Sequence, residues 1–229
     1  MTPTPTFSLL HTTARLPHGW DEAYSEWYKT CDHPEAVQYV LFVDGPTQDV
    51  AARVQFGGGF IMVWPEGTSE HCVVGSANGW NRAAAASTGK FLITISDDYR
   101  PCEHWDTEIL KVVGGALRGQ YVLDVDNQDG APHIPFSFLT RAYYNRYGYI
   151  FYPEYKGLMA DLDFTNIARR DGVVVPAKHL KFRHLHYLCG TAPNDEVYQK
   201  QQETLAYGQA VYARRSREWE VPATAGVSA

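Results

Sequence analysis

Asp97 and Asp98 stand side by side at the end of the apolar run "KFLITI". Adjacent carboxylates repel unless a cation or a hydrogen-bond donor lies between them. Asp44 closes a second apolar run, "YVLFVDG", and Thr12, Thr13 and Arg15 close a third, "FSLLHTTAR". A single Asp after a strand ordinarily caps a helix or a turn, but a turn needs only one such side chain, and the pair at 97–98 has one too many. Together the groups suit a nucleotide with a divalent cation: an acid for the base or ribose, a carboxylate for the metal and Arg15 for phosphate. His184 and His186 in "FRHLHY" share one side of an extended segment, since residues two apart do so. The ordinary role of such a pair is that of partly buried, hydrogen-bonded histidines.

The elements that must position these groups follow from periodicity. Residues 7–15 read as a buried strand, and 18–31 carry Trp20, Ala23, Tyr24, Trp27, Tyr28 and Cys31 at helical spacing. Residues 36–45 read as a second strand, which makes a βαβ unit and predicts a parallel sheet with right-handed crossover. A third strand is expected in "HCVVGSANG", an Ala-rich helix in "WNRAAAASTG" closed by Gly89, and a fourth strand in "KFLITISDD". The Gly-rich "VQFGGGFIMVWPEGTSE" lacks phosphate-loop spacing and reads as a turn or hairpin. Beyond residue 107 the chain predicts a helix, a strand in "GQYVLDVDNQDG", a helix or turn in "SFLTRAYYNRYG", an amphipathic helix closed by Gly172, an extended piece through "VVVPAKHLKFRHLHY" and a C-terminal helix. In an open parallel sheet ligands bind at the carboxyl ends of the strands, where the acids and Arg15 fall.

The chain has 229 residues, 45% of them hydrophobic, which suits one large α/β domain with a modest extension. A formal net charge of −6 argues against a surface that coats polyanions. The four cysteines lie far apart with no CxxC pair, which suits a reduced, cytoplasmic protein. The start "MTPTPTFSLLHTTARLP" has no basic and apolar leader pattern, so no membrane association is expected, and "VPATAGVSA" at the end reads as a flexible tail.

The series "SLLHTTAR", "YVLFVDG", "NGWNRAAAASTGKFLITISDDYRP", "YGYIFYPEYKGLMADLDFTNIARRDG" and "FRHLHY" resembles, in order and spacing over about four-fifths of the chain, a GT-A glycosyltransferase of the inverting, family-2-like kind. The resemblance implies a Rossmann-like, mostly parallel sheet flanked by helices over residues 1–190, with a donor half at about 7–106, an acceptor half at about 107–190, and a C-terminal helix and tail at 191–229. It implies that Thr12, Thr13 and Arg15 lie at the nucleotide, Asp44 at the uracil, Asn81 and Arg82 beside the donor, and Asp97 at the ribose. Asp98 would ligate Mn2+ or Mg2+, with His184, or else His186, completing the site; Mn2+ accepts imidazole more readily than Ca2+ does. The family's Glu-Asp pair is Ala160-Asp161 here, so Asp161 would be the general base, with Asp163 as runner-up. The two are about 200° apart around a helix and cannot both face the sugar. Ala14 departs from the family's polar turn residue.

What the resemblance implies is metal-dependent transfer of a sugar from a UDP-type nucleotide sugar to an acceptor hydroxyl, with inversion. Tyr149, Phe151, Tyr152 and Tyr155 offer an aromatic platform or ordinary core packing. The acceptor would be a saccharide or a small hydroxylated molecule, in a bacterium or a phage-infected cell. One alternative is a hydroxymethylated base in phage DNA, which Arg214, Arg215 and Arg217 with Lys181 and Arg183 could track. Another is a non-catalytic, GT-A-like nucleotide-binding or structural protein, which the missing Glu before Asp161 permits. Oligomeric state is left open.

Overall fold

The computed structural model describes residues 4–14, 19–44, 60–63 (backbone only), 75–114 and 117–219. Strand β1 (Phe7–Thr13) and strand β2 (Val37–Val43) are buried on both faces along their whole length, as the continuous apolar runs of interior parallel strands require. Helix α1 (Trp20–Lys29) joins them, turning Trp20, Ala23 and Trp27 into the core. Strand β3 (Phe60–Val63) pairs in parallel with β2. Helix α2 (Ser76–Ala86) leads to strand β4 (Phe91–Ile95), which lies parallel to β1 on the side away from β2. The two-residue strand β5 (Tyr99–Arg100) and helix α3 (Trp105–Val112) follow.

In the second half, strand β6 (Val122–Asp126) and strand β7 (Phe138–Thr140) pair antiparallel, and helices α4 (Arg141–Tyr147) and α5 (Ala160–Arg170) precede strand β8 (Val174–Lys181), parallel to β6. Strand β9 (Arg183–His184) pairs with β5, and helices α6 (Glu196–Gln202) and α7 (Leu205–Trp219) end the described chain. The large sheet has the order β3-β2-β1-β4-β7-β6-β8. Because β7 is antiparallel to both β4 and β6, every other strand of that sheet points the same way. Their carboxyl ends, and the amino ends of α2 and α5 that cross back from them, meet along one edge.

Two apolar layers sandwich the sheet. One holds Trp27, Trp105, Tyr99 and Phe182; the other holds Ala77, Ala83, Ala84, Phe151, Tyr155 and Phe164. The alanines bring α2 so close to the sheet that a Cβ on Gly79 would meet Phe42 at 2.7 Å. Pro176, which donates no backbone hydrogen bond, sits in β8 at the sheet edge, where a strand tolerates it.

Three expectations need correction. The third strand is Phe60–Val63, inside the stretch read as a turn or hairpin; residues 71–74 of "HCVVGSANG" lie outside the described residues, and Ser76–Gly79 open α2. The piece "SFLTRAYYNRYG" is strand β7 running straight into α4 at Thr140, whose extended backbone caps the helix, so no breaker residue marks the change. The C-terminal helix is two helices, broken where Thr204 Oγ1 donates back to the Gln201 carbonyl at 2.7 Å.

Gly89 precedes β4 where a Cβ would meet the Phe7 carbonyl carbon at 2.7 Å. Gly89→Ala is therefore expected to lower stability by about 1–3 kcal/mol, seen as a lower urea midpoint with an unchanged denaturant slope.

Candidate functional site

Strand order reverses between β1 and β4, which opens a crevice at their carboxyl ends. Asp97 lies there, 8% exposed. Its Oδ1 accepts from His11 Nε2 at 2.9 Å and its Oδ2 from Thr13 Oγ1 at 2.8 Å, while its carbonyl takes Arg100 Nη1 at 2.6 Å. His11 is fully buried, and its Nδ1 accepts from the Tyr39 hydroxyl. A second charge beside Asp98 is thus met by donors on β1.

Asp98 faces the other way. Ser96 Oγ donates to its Oδ1 and the Tyr198 hydroxyl, from α6, to its Oδ2. Pairing of β5 with β9 sets Tyr99 opposite His184, and Leu185 N donates to the Asp98 carbonyl at 2.8 Å. His184 Nε2 therefore faces Asp98 Oδ2 at 3.7 Å, while its Nδ1 donates to Asp129 Oδ2 at 3.3 Å. Burial pushes the Asp98 carboxyl up, but His184, Ser96 and Tyr198 outweigh it and hold it well below the usual carboxylate range. Burial pushes His184 down, but Asp129 and Asp98 outweigh that and carry it up to about 9. The His186 ring lies tilted 4.9 Å from the His184 ring and edge-on 4.6 Å from Tyr198, and its Nδ1 accepts from Leu188 N at 3.3 Å.

Asp161 opens α5, and its Oδ1 accepts from Leu162 N at 2.8 Å. Its Oδ2 accepts from His133 Nε2 at 2.9 Å, with both side chains roughly a quarter to a third exposed, at 26% and 30%. Asp163 is turned away, as the helical angle requires. It is 1% exposed, 3.7 Å from Arg215 of α7, and its Oδ1 has no hydrogen-bond partner among the described residues. Burial pushes its carboxyl up to about 6, Arg215 opposing only in part. That placement separates Asp163 from the edge where an acceptor would sit. Met159, just before α5, and Gln128, beside Asp129, are non-glycine residues with φ of 76° and 57°, strained backbone of the kind that collects at working sites.

The remaining expected residues divide. Asp44, 6% exposed, accepts from Gly75 N at 2.9 Å at the entry to α2, so it caps that helix at the same edge. Thr12 is buried under α2 on the face opposite Thr13. Asn81 is turned to the loop before α5: it donates to the Phe151 carbonyl at 2.6 Å and accepts from Ile150 N at 2.9 Å and Phe151 N at 3.0 Å. Its amide thus fastens that loop and leaves one N–H for any ligand. Arg82 is exposed on α2, and Arg15 lies outside the described residues. Of the aromatic platform, Phe151 and Tyr155 are core, while Tyr149 and Tyr152 are half-buried and Tyr152 carries the Arg215 guanidinium 4.0 Å above its ring. His11, Asp129, His133 and Tyr198 were not legible as site residues; each lies in an ordinary strand, loop or helix pattern, and only folding brings its partner beside it.

Among the described residues no three His, Cys, Asp or Glu side chains form a ready-made metal cage. The pair Asp98 Oδ2 and His184 Nε2, at 3.7 Å, still fits one divalent cation at about 2.1 Å from each, and an oxygen with an imidazole suits Mn2+. Cations that bind with a diphosphate take few protein ligands and fill the rest from phosphate and water.

No protein-family model and no curated protein match the sequence. Solved structures match the fold. The mannosyltransferase PcManGT from Pyrobaculum calidifontis, in complex with GDP-Man and Mn2+, superposes with a TM-score of 0.64 over 92% of this chain and 65% of its own, at 12% identity. TarS from S. aureus does so with a TM-score of 0.61 over 85% of this chain and 38% of its own, at 15% identity. TarS 1–349 in complex with UDP-GlcNAc gives 0.61 over 89% and 66%, at 14% identity. The chain therefore has the GT-A fold, and it spans between 38% and 66% of the length of these structures.

Two outcomes follow from these placements. Asn81→Ala removes three hydrogen bonds to the 150–151 loop and is expected to lower stability by about 3 kcal/mol in urea titrations. Asp163 is raised in the folded state, so its contribution to stability is complete below about pH 4 and is lost as pH rises to about 6, at no more than about 1.4 kcal/mol per pH unit. Asp163→Asn should flatten that part of the stability profile measured by thermal melts.

Proposed function

We propose that this chain is a metal-dependent glycosyltransferase that moves a sugar from a UDP-type nucleotide sugar to an acceptor hydroxyl with inversion. The observation that carries this reading is the segment between β6 and β7. It reaches both chemical ends proposed for the site: Asp129 bonds His184, which faces Asp98, and His133 bonds Asp161.

Asp98 and His184, with His186 as the alternative imidazole, would hold Mn2+ or Mg2+. When bound, the cation supplies Lewis-acid neutralisation of charge gathering on the departing diphosphate. The residues themselves do the rest. Asp129 accepts a hydrogen bond from Nδ1–H of His184 and leaves Nε2 toward Asp98, so the ring presents the correct nitrogen. Asp97, held by His11 and Thr13, receives the ribose; Asp44 at the α2 entry serves the base, and Thr12, Thr13 and Arg15, at the end of the neighbouring strand β1 and just after it, serve the nucleotide, Arg15 at its phosphate. Arg82 and the spare N–H of Asn81 lie on the donor side. Asp161 marks the base end, where the acceptor hydroxyl gives up its proton for in-line attack.

Ala160, which stands where the family has Glu, is 3% exposed in the core. A carboxylate there would be buried at a cost, so packing accounts for the change without implying a lost activity, which disfavours the non-catalytic reading. The acceptor favoured is a saccharide or small hydroxylated molecule. Of the arginines that suggested DNA, Arg214 pairs with Glu154 at 2.6 Å, and Arg215 with Glu218 at 2.8 Å, so two of the three serve internal contacts. No helix among the described residues is long and apolar enough to cross a membrane.

The test is a panel of sugar nucleotides with Mn2+, scored by release of nucleoside diphosphate and by calorimetric binding. Release that is lost on chelation and in Asp98→Asn is expected, with Asp129→Asn weakening Mn2+ binding about 10–100-fold. Absence of both release and binding for every donor would sink the proposal.

A further inference from the structure

Asp161 is not a bare carboxylate. Its Oδ1 is taken by Leu162 N at 2.8 Å and its Oδ2 by His133 Nε2 at 2.9 Å. The imidazole is held as firmly as the acid. Arg169 Nη2 donates to the Pro132 carbonyl at 2.9 Å, and Thr165 Oγ1 accepts from Ile134 N at 2.9 Å while donating to the Asp161 carbonyl at 2.7 Å. Asp161, Thr165 and Arg169 are spaced by four and share one face of α5. That face grips Pro132, His133 and Ile134 in turn, and Thr165 and Ile134 are fully buried. Three consecutive residues are thus stapled to one helix, and the ring is left one orientation.

With Nε2 bonded to a carboxylate, the neutral ring carries its proton there and has its lone pair on Nδ1. Nδ1 makes no hydrogen bond among the described residues, and the side chain is 26% exposed at the sheet's carboxyl edge. Carboxylate, imidazole and free outer nitrogen form an oriented base of the kind that activates hydroxyl nucleophiles.

We propose that the proton of the acceptor hydroxyl passes to Nδ1 of His133, with Asp161 as the carboxylate that fixes the ring and balances the charge it gains. The inference rests on the glycosyltransferase reading and sharpens which atom is its base. In the step the acceptor O–H bond breaks and its proton goes to Nδ1. The oxygen's electron pair forms the bond to the anomeric carbon. The bond from that carbon to the diphosphate oxygen breaks, its pair leaving with the nucleoside diphosphate. Water then takes the proton from the imidazolium.

The groups acting on His133 are Asp161 and Asp129, which favour the charged ring, and Arg169, which opposes them; with burial also opposing, the ring's pKa lies above its ordinary value of 6.5. The base works only when unprotonated. Turnover should therefore fall as pH drops through a value above that of a free imidazole.

His133→Gln separates the roles, because the glutamine amide still donates to Asp161 but accepts no proton. Transfer, its pH profile and calorimetric binding of UDP with Mn2+ are compared for wild type, His133→Gln and Asp161→Asn. Expected are a loss of about 10²–10⁴-fold in kcat for His133→Gln, disappearance of its acid limb, unchanged UDP binding, and partial recovery of His133→Ala by added imidazole. Retention of kcat within a few-fold in His133→Gln, with Asp161→Asn inactive, overturns the proposal and leaves the wider reading standing with the carboxylate as base. A wild type that neither binds nor turns over any sugar nucleotide overturns both.

Discussion

Parallel pairing of β1 with β2 on one side and β4 on the other is the constraint on which the rest depends. It forces the chain to change direction across the sheet at this seam, and the crossing helices are carried away from the gap. Thr13 and Asp97, at the ends of the two strands, then meet at 2.8 Å. That contact explains why the strand end tolerates Asp97 beside Asp98: one carboxylate accepts hydrogen bonds inward from His11 and Thr13, with Arg100 on its backbone carbonyl, and the other points outward to Ser96, Tyr198 and His184.

The second half of the sheet supplies what the first lacks. Because β6 and β8 point the same way as β4 despite the reversed β7, their ends deliver Asp129 and His184 to the same edge as Asp98. The short β5–β9 ribbon closes the join. Imidazoles and carboxylates alternate along this edge from Asp98 through His184 and Asp129, and from His133 to Asp161. Such an order lets each ring have its proton assigned by a neighbouring acid, which a lone histidine in water cannot do.

Burial decides between groups that look alike in a sequence. Asp161 and Asp163 are two residues apart on one helix, yet one is part-exposed against His133 and the other is enclosed with Arg215 and α7. Arg215 likewise belongs to a basic cluster by sequence and to an internal ion pair by structure. Asn81, expected beside the donor, is engaged with loop backbone.

Periodicity and composition alone determined β1, α1, β2, β4, α5 and the extended run into β9, because each is long or apolar enough for its spacing to show. They also determined that acids cluster after strands. They did not determine β3 or β7, four and three residues long, since so short a run has no period to read. Nor did they determine the partners of the acids. His11 lies 86 positions from Asp97 and His133 lies 28 from Asp161. Hydrogen bonds at such separations leave no local signal, and only strand order and the packing of α5 bring the pairs together.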